Sequence, residues 1–264
     1  MHYQEIIPIK PLQGYVRYFW VLEDMSDNVE TKDFKIIPDG IPALIFQDKP
    51  NQFFDGNNQA MPQLYIYGQF NTYTNQTINS NFRIIGAYLE PTALKTLFGI
   101  DAFLFNNLNI PLEDIVTEPT FERLVNAISV EEKIGIITRF LLNLVQEVKH
   151  KAEKANYATS LLQRGQTLKE VQLEMNLSER TLERLIKQYV GMAPKVYSRI
   201  VRFQSNLDLL RQADFKSLTE LTYQSDYFDQ SHFIREFKEF TGTSPRSFLF
   251  NTEEQLPNFP KINP

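Results

Sequence analysis

The stretch Thr167-Leu168-Lys169-Glu170 returns 50 positions later as Ser217-Leu218-Thr219-Glu220. Each copy reads as a capping box, with a hydroxyl at the N-cap and a Glu three residues on that together satisfy orphan amides at a helix start. A polar residue that tolerates the left-handed conformation follows in each, Asn176 and Asp226. One extra residue in the second copy then moves the offset to 51, so that Ser178 and Asp229 align as N-caps of a second helix. Leu182 aligns with Phe233, Arg184 with Arg235 and Ile186 with Phe237. Gly191 and Gly242 align as helix stops, with Pro194 and Pro245 three residues beyond them. Each copy is thus a short helix, a tight turn and a longer helix. That is a helix-turn-helix, and two copies in register set it apart from a plain pair of αα-hairpins.

The second helix of such a unit is the one that enters the major groove of DNA. Charge agrees with this once it is divided along the chain. The 264 residues carry a net charge of −5, but residues 1–150 hold −7, residues 151–249 hold +3 and the remainder −1. The basic excess lies with the repeated motif. There is no Cys, which excludes disulfides, thiolate metal sites and Cys nucleophiles. The three His, at positions 2, 150 and 232, are scattered, so no cofactor and no metal site is expected. No apolar run is long enough to span a membrane, and the first residues lack the pattern of a signal peptide, so a cytoplasmic location is expected.

Outside the repeat, the first ninety residues read as short strands: Tyr15–Glu23, Phe34–Ile37, Ile41–Gln47, Leu64–Gly68, Asn71–Asn75 and Phe82–Leu89. Residues Gln47–Met61 read as a long exposed loop. The period changes at Pro91. Helices are expected over Pro91–Gly99, Pro119–Ile128 and from Val130 to about Lys154. The last carries an apolar stripe fit for core packing or a dimer interface. A further short helix is expected over Tyr157–Arg164, and Pro194 opens a long one to Gln212 that joins the two motifs. The fold class is therefore α+β. An N-terminal barrel or sandwich (1–90) with a helical extension (91–154) precedes an all-α domain (155–250) and a polar, Pro-rich tail (251–264) expected to be disordered.

Periodicity also sorts the reading helices into faces. Leu182, Leu185 and Ile186 take the core side of the first, which leaves Arg180, Thr181, Glu183, Arg184 and Lys187 outward. Phe233, Phe237 and Phe240 take the core side of the second, which leaves Gln230, Ser231, His232, Arg235 and Lys238 outward. Arg suits guanine and Gln suits adenine by bidentate hydrogen bonding, and Glu can accept from the cytosine amino group. Lys187 and Lys238 suit phosphates, which position without specifying. The bland alternative is a solvated face laced by i,i+4 pairs. In the N-terminal part, Arg17, Trp20 and Tyr67 are the candidates for a ligand pocket, against the alternative that such aromatics are simply core.

These residues also carry a resemblance. Gly191-x-x-Pro194-x-x-Tyr197 with Arg199 and Arg202, the run from Tyr223 to His232, Phe233-x-Arg235-x-Phe237-Lys238 and Gly242-x-x-Pro245 closely resemble the AraC/XylS family of bacterial transcription regulators. Tyr18-Phe19-Trp20, Pro38-Asp39-Gly40 and Ile85–Leu89 leading to Leu97-Phe98-Gly99 resemble that family's cupin-like sensor domains. The resemblance implies sequence-specific binding of double-stranded DNA, with Arg180, Glu183, Arg184, Gln230, Ser231, His232 and Arg235 at base-reading positions. Its implied partners are a small-molecule effector, a second copy in a homodimer and, for an activator, RNA polymerase. An N-terminal domain serving only protein–protein contact is the alternative. Repair enzymes that pair such a module with reactive thiols are removed by the absence of Cys. Two departures stand out: Asp226 replaces the usual Gly, and Asn206 replaces the usual Ala of the linking helix, where it is expected to face solvent.

Overall fold

Alternation along a few strands builds the N-terminal half. In β2 (Val16–Asp24), Phe19 and Val21 point to one face, Trp20 and Leu22 to the other. The same split recurs in β4 (Ala43–Gln47), with Leu44 and Phe46 against Ala43 and Ile45, and in β6 (Leu64–Tyr67), with Leu64 and Ile66 against Tyr65 and Tyr67. A sheet made of such strands must be covered on both sides. The computed structural model, which describes residues 1–25, 31–78, 81–148, 152–212, 227, 229–253 and 261–262, shows that it is.

With β1 (His2–Ile6), β8 (Phe82–Leu89) and β9 (Asn109–Pro111), these strands form a six-stranded antiparallel sheet in the order β1-β2-β8-β4-β6-β9. One face packs on α1 (Ala93–Phe98), α2 (Thr120–Asn126) and α3 (Val130–Glu147) through Leu94, Leu97, Leu124, Ile137 and Phe140. The other meets a second antiparallel sheet containing β3 (Lys32–Ile36), β5 (Phe53–Asp55) and β7 (Thr74–Ile78), through Phe34, Phe53, Ile78 and Phe82. Lys133, buried on α3, reaches Asp48 at 2.5 Å, and Arg83 joins Asp48 to Glu23. A charged network thus ties that helix to the sheet.

Three local expectations need correction. The loop expected at Gln47–Met61 contains β5, with Phe53 and Met61 buried, because a three-residue strand is too short to show a period. The helix expected to reach about Lys154 ends at Glu147, where Val148 turns to extended backbone, and Glu153 opens α4 (Glu153–Gln163). The tail expected to be disordered holds two strands, β10 (Thr252–Glu253) and β11 (Lys261–Ile262), which pair with each other, and β11 pairs with β3. Backbone hydrogen bonding at an open sheet edge requires no apolar pattern.

Among the described residues the C-terminal helices are α4, α5 (Leu168–Met175), α6 (Glu179–Val190), α7 (Pro194–Gln212), α8 (Gln230–Thr241) and α9 (Pro245–Asn251). They share a core of Leu162, Val171, Leu182, Ile186, Phe203 and Phe237 among others. The N-terminal sheets touch this unit directly. The Gln204 side chain donates to Pro38 O at 2.7 Å, Tyr197 lies against Gly40, and the Thr92 hydroxyl donates to Asn156. The C-terminal end of α6 packs on α1 and on the 3₁₀ turn Ala102–Phe105, with Lys187 Nζ 5.8 Å from the centre of the Phe103 ring.

Candidate nucleic-acid interface

Thr167 accepts from Glu170 N at 3.3 Å, and Glu170 accepts from Thr167 N at 2.7 Å, so α5 starts on a complete capping box. That backbone bond, with one from the Thr167 hydroxyl, holds the Glu170 carboxyl below its ordinary pKa. Asn176 ends α5 in the left-handed conformation, at φ 51°. Ser178 Oγ then accepts from Thr181 N at 3.3 Å and starts α6. Gly191 closes α6 at φ 95°, where a side chain would be strained and a Cβ would lie 2.9 Å from Ala102 O. The first motif is therefore an assembled helix–turn–helix whose far end is seated on the N-terminal half.

Of the second motif, the residues Ser217–Glu220 and Asp226 lie outside the described residues. The second helix of this motif follows the expected scheme. Asp229 Oδ1 accepts from His232 N at 2.7 Å, and Gly242 ends α8 at φ 72°.

On α6, Leu182, Ile186 and Val190 are buried, while Arg180, Glu183, Arg184 and Lys187 are exposed. Thr181 is half-buried and its hydroxyl is bonded to Ser178 Oγ at 2.8 Å. On α8, Phe233, Phe237 and Phe240 are buried, while Gln230, Ser231, Arg235 and Lys238 are exposed. His232 is half-buried, edge-on to the Tyr227 ring at 5.3 Å. Among the described residues Arg180, Arg184 and Arg235 make no ion pair, and Glu239 is taken by Arg199.

Sequence reasoning missed Glu236. It sits on the Phe-lined stripe of α8, 2% exposed, and gathers Arg199 at 2.9 Å, Arg202 at 2.9 Å and the Tyr227 hydroxyl at 2.6 Å. Burial pushes its carboxyl up, but the Tyr227 hydroxyl and the two guanidiniums outweigh burial and hold it below the ordinary carboxylate range. The available signal was a carboxylate at a core position of a helix, which must find partners to be buried. Arg199 and Arg202 find their partners, Glu236 and Glu239, on α8. Asn206, expected in solvent, is 2% exposed; its Nδ2 donates to Arg202 O at 2.7 Å and its Oδ1 has no partner.

The candidate ligand residues are arranged differently. Trp20 and Tyr67 are buried between the two sheets, with Trp20 so close over Gly86 that a Cβ there would fall 2.2 Å from the indole. Tyr67 stacks on Phe70 at 4.9 Å, and burial, with the charge of Asp39, raises its hydroxyl pKa far above the ordinary value. Arg17 is committed to Glu90 at 3.3 Å. Among the described residues no three His, Asp or Glu side chains converge as a metal site would need. No helix among them is long and apolar enough to cross a membrane.

The family described as a helix-turn-helix domain matches residues 173–250. The HTH-type transcriptional activator RhaS of Klebsiella pneumoniae (strain 342) is 36% identical over 77 residues, 29% of this chain and 27% of that protein. RhaS of Salmonella arizonae is 37% identical over 73 residues, 28% of this chain and 26% of that protein. Over these residues the chain is similar to the helix-turn-helix domain of these transcriptional activators. The matched region spans only about a quarter of the length of these relatives. In front of it, residues 4–111 match a domain family of unknown function, DUF6597. A solved structure of ToxT from Vibrio cholerae aligns with 88% of this chain and 98% of its own, at 14% identity and a TM-score of 0.44.

Proposed function

We propose that the chain is a sequence-specific, DNA-binding transcription regulator whose α6 and α8 enter successive major grooves on one side of a duplex. The observation that carries this reading is the matched pair of outer faces. Arg184 and Arg235 project from equivalent points of two capped helices whose opposite faces are filled by core residues, and neither is held by a carboxylate among the described residues. In this reading Arg180, Glu183, Arg184, Gln230, Ser231, His232 and Arg235 face base edges, and Lys187 and Lys238 face phosphates. Thr181 serves chiefly the N-cap. Duplexes selected from random sequence by the full chain test it: binding should steepen as salt falls, and Lys187→Ala and Lys238→Ala should weaken every sequence about equally. A protein that selects no sequence overturns the reading.

The sheet-bearing half would then be the effector or dimerisation domain, acting through its contacts with α4, α6 and α7. A small-molecule effector, a second copy and RNA polymerase are its proposed partners. The dense packing of Trp20 and Tyr67 between the sheets favours a second version, in which this half serves protein contact alone.

A further inference from the structure

A groove of about 1140 Å³ runs along α7 between the two motifs, walled by the turn between α4 and α5 on one side and by α8 on the other. Its cations fall into two sets. Arg199 and Arg202, half-buried on its inner wall, are neutralised by Glu236 and Glu239. Arg164, Lys195 and Arg235 are exposed, come from three different helix ends or faces, and make no ion pair among the described residues. Four buried polar atoms of the lining residues lack any partner: Ser198 Oγ, Arg202 Nε, Gln166 Oε1 and Asn206 Oδ1.

We propose that this groove seats the sugar–phosphate backbone of the duplex between the two major grooves read by α6 and α8, with Arg164 and Lys195 on its phosphates. The inference rests on the DNA-binding reading and extends it to residues outside both reading helices. A small anion bound inside the groove would call for unpaired charge on the inner wall, where the guanidiniums are already committed to carboxylates. Unpaired charge confined to the outer edge suits a polyanion lying across the groove. His232 and Arg235 line the same groove, so it is continuous with the second reading face. The unpartnered oxygens of Gln166 and Asn206 are acceptors and cannot meet a phosphate directly. Water between them and the backbone would satisfy both, as in wet protein–DNA interfaces.

The test uses the full chain and a duplex that the wild type selects from random sequence, ethylated at its phosphates. Ethylation between the two read blocks should interfere with wild-type binding. Arg164→Gln with Lys195→Gln should lose that interference, keep the selected base preference, and make the slope of log K against log salt shallower by about 1.8, roughly 0.9 per contact. The charge-preserving pair Arg164→Lys and Lys195→Arg should keep the wild-type slope, which separates lost contacts from a damaged fold. Unchanged interference and slope in the glutamine pair overturns the proposal, as does a changed base preference. A wild type that selects no duplex overturns the DNA-binding reading itself and this proposal with it.

Discussion

Glu236 shows how one residue couples the second motif to the linking helix. Its carboxylate is buried among phenylalanines and is tolerated because two guanidiniums and a phenol meet it. Removing the carboxylate leaves the Tyr227 hydroxyl and two half-buried guanidiniums poorly satisfied, with only Arg199 keeping a second carboxylate partner, Glu239. Glu236→Gln should therefore destabilise the chain by about 1–3 kcal/mol, read by urea unfolding. The pH dependence follows from the depressed folded pKa. A carboxyl of this kind contributes stability that is fully present above its unfolded value, about 4.3, and is lost as pH falls through the lower folded value. Below about pH 4.3 the wild type should lose stability more steeply than the Gln variant; parallel pH profiles would show that Glu236 is not the group responsible. Arg235→Ala belongs to the same scale. Relaxed discrimination at one or two base pairs is expected, at about 1–3 kcal/mol on the selected site. Uniformly weaker binding with unchanged base preference would assign Arg235 to the backbone instead.

At the scale of elements, α6 and α8 were legible and their surroundings less so. Caps are local chemistry: Thr167, Glu170, Asn176, Ser178 and Gly191 mark α5 and α6 without knowledge of any distant contact, and all five take the expected conformations. Four strands of the large sheet, β2, β4, β6 and β8, were legible from their runs of apolar and aromatic residues; β1 and β9, mostly polar or only three residues long, were not. The short β5 and the end of α3 were not, since too few residues carry a period there. Asn206 was misplaced because its burial depends on tertiary packing around α7, which no local pattern records. The helix stops give a test of what else the elements do. Gly165 and Gly191 are both left-handed, at φ 84° and 95°, but the space at Gly165 is open while Gly191 abuts Ala102 O. Gly165→Ala should cost about 1 kcal/mol, the left-handed strain alone. Gly191→Ala should cost about 1–3 kcal/mol more, since the backbones must also part. Equal thermal shifts for the two variants would mean that α6 does not depend on its seat against the N-terminal half.

For the whole molecule, that seat matters more than either half. Contacts at Gly40 and Tyr197, Pro38 and Gln204, and Ala102 and Gly191 fix the linking helix and the first reading helix relative to the sheets. None was legible in the sequence, because each joins residues far apart along the chain with no charge or motif to mark the pairing. Gln204→Ala should loosen this seat without touching a reading face, so limited proteolysis between the halves should speed up while base preference stays as in the wild type. A Gln204→Ala protein cleaved at the wild-type rate would remove that contact from the account. The central claim is that two reading helices, held by one linking helix, act together on one duplex. The most direct measurement is selection from random duplex DNA by the full chain. The account predicts a two-block sequence with centres about 10–10.5 base pairs apart, one block lost in Arg184→Ala and the other in Arg235→Ala. A single block, or no enriched sequence, would contradict it.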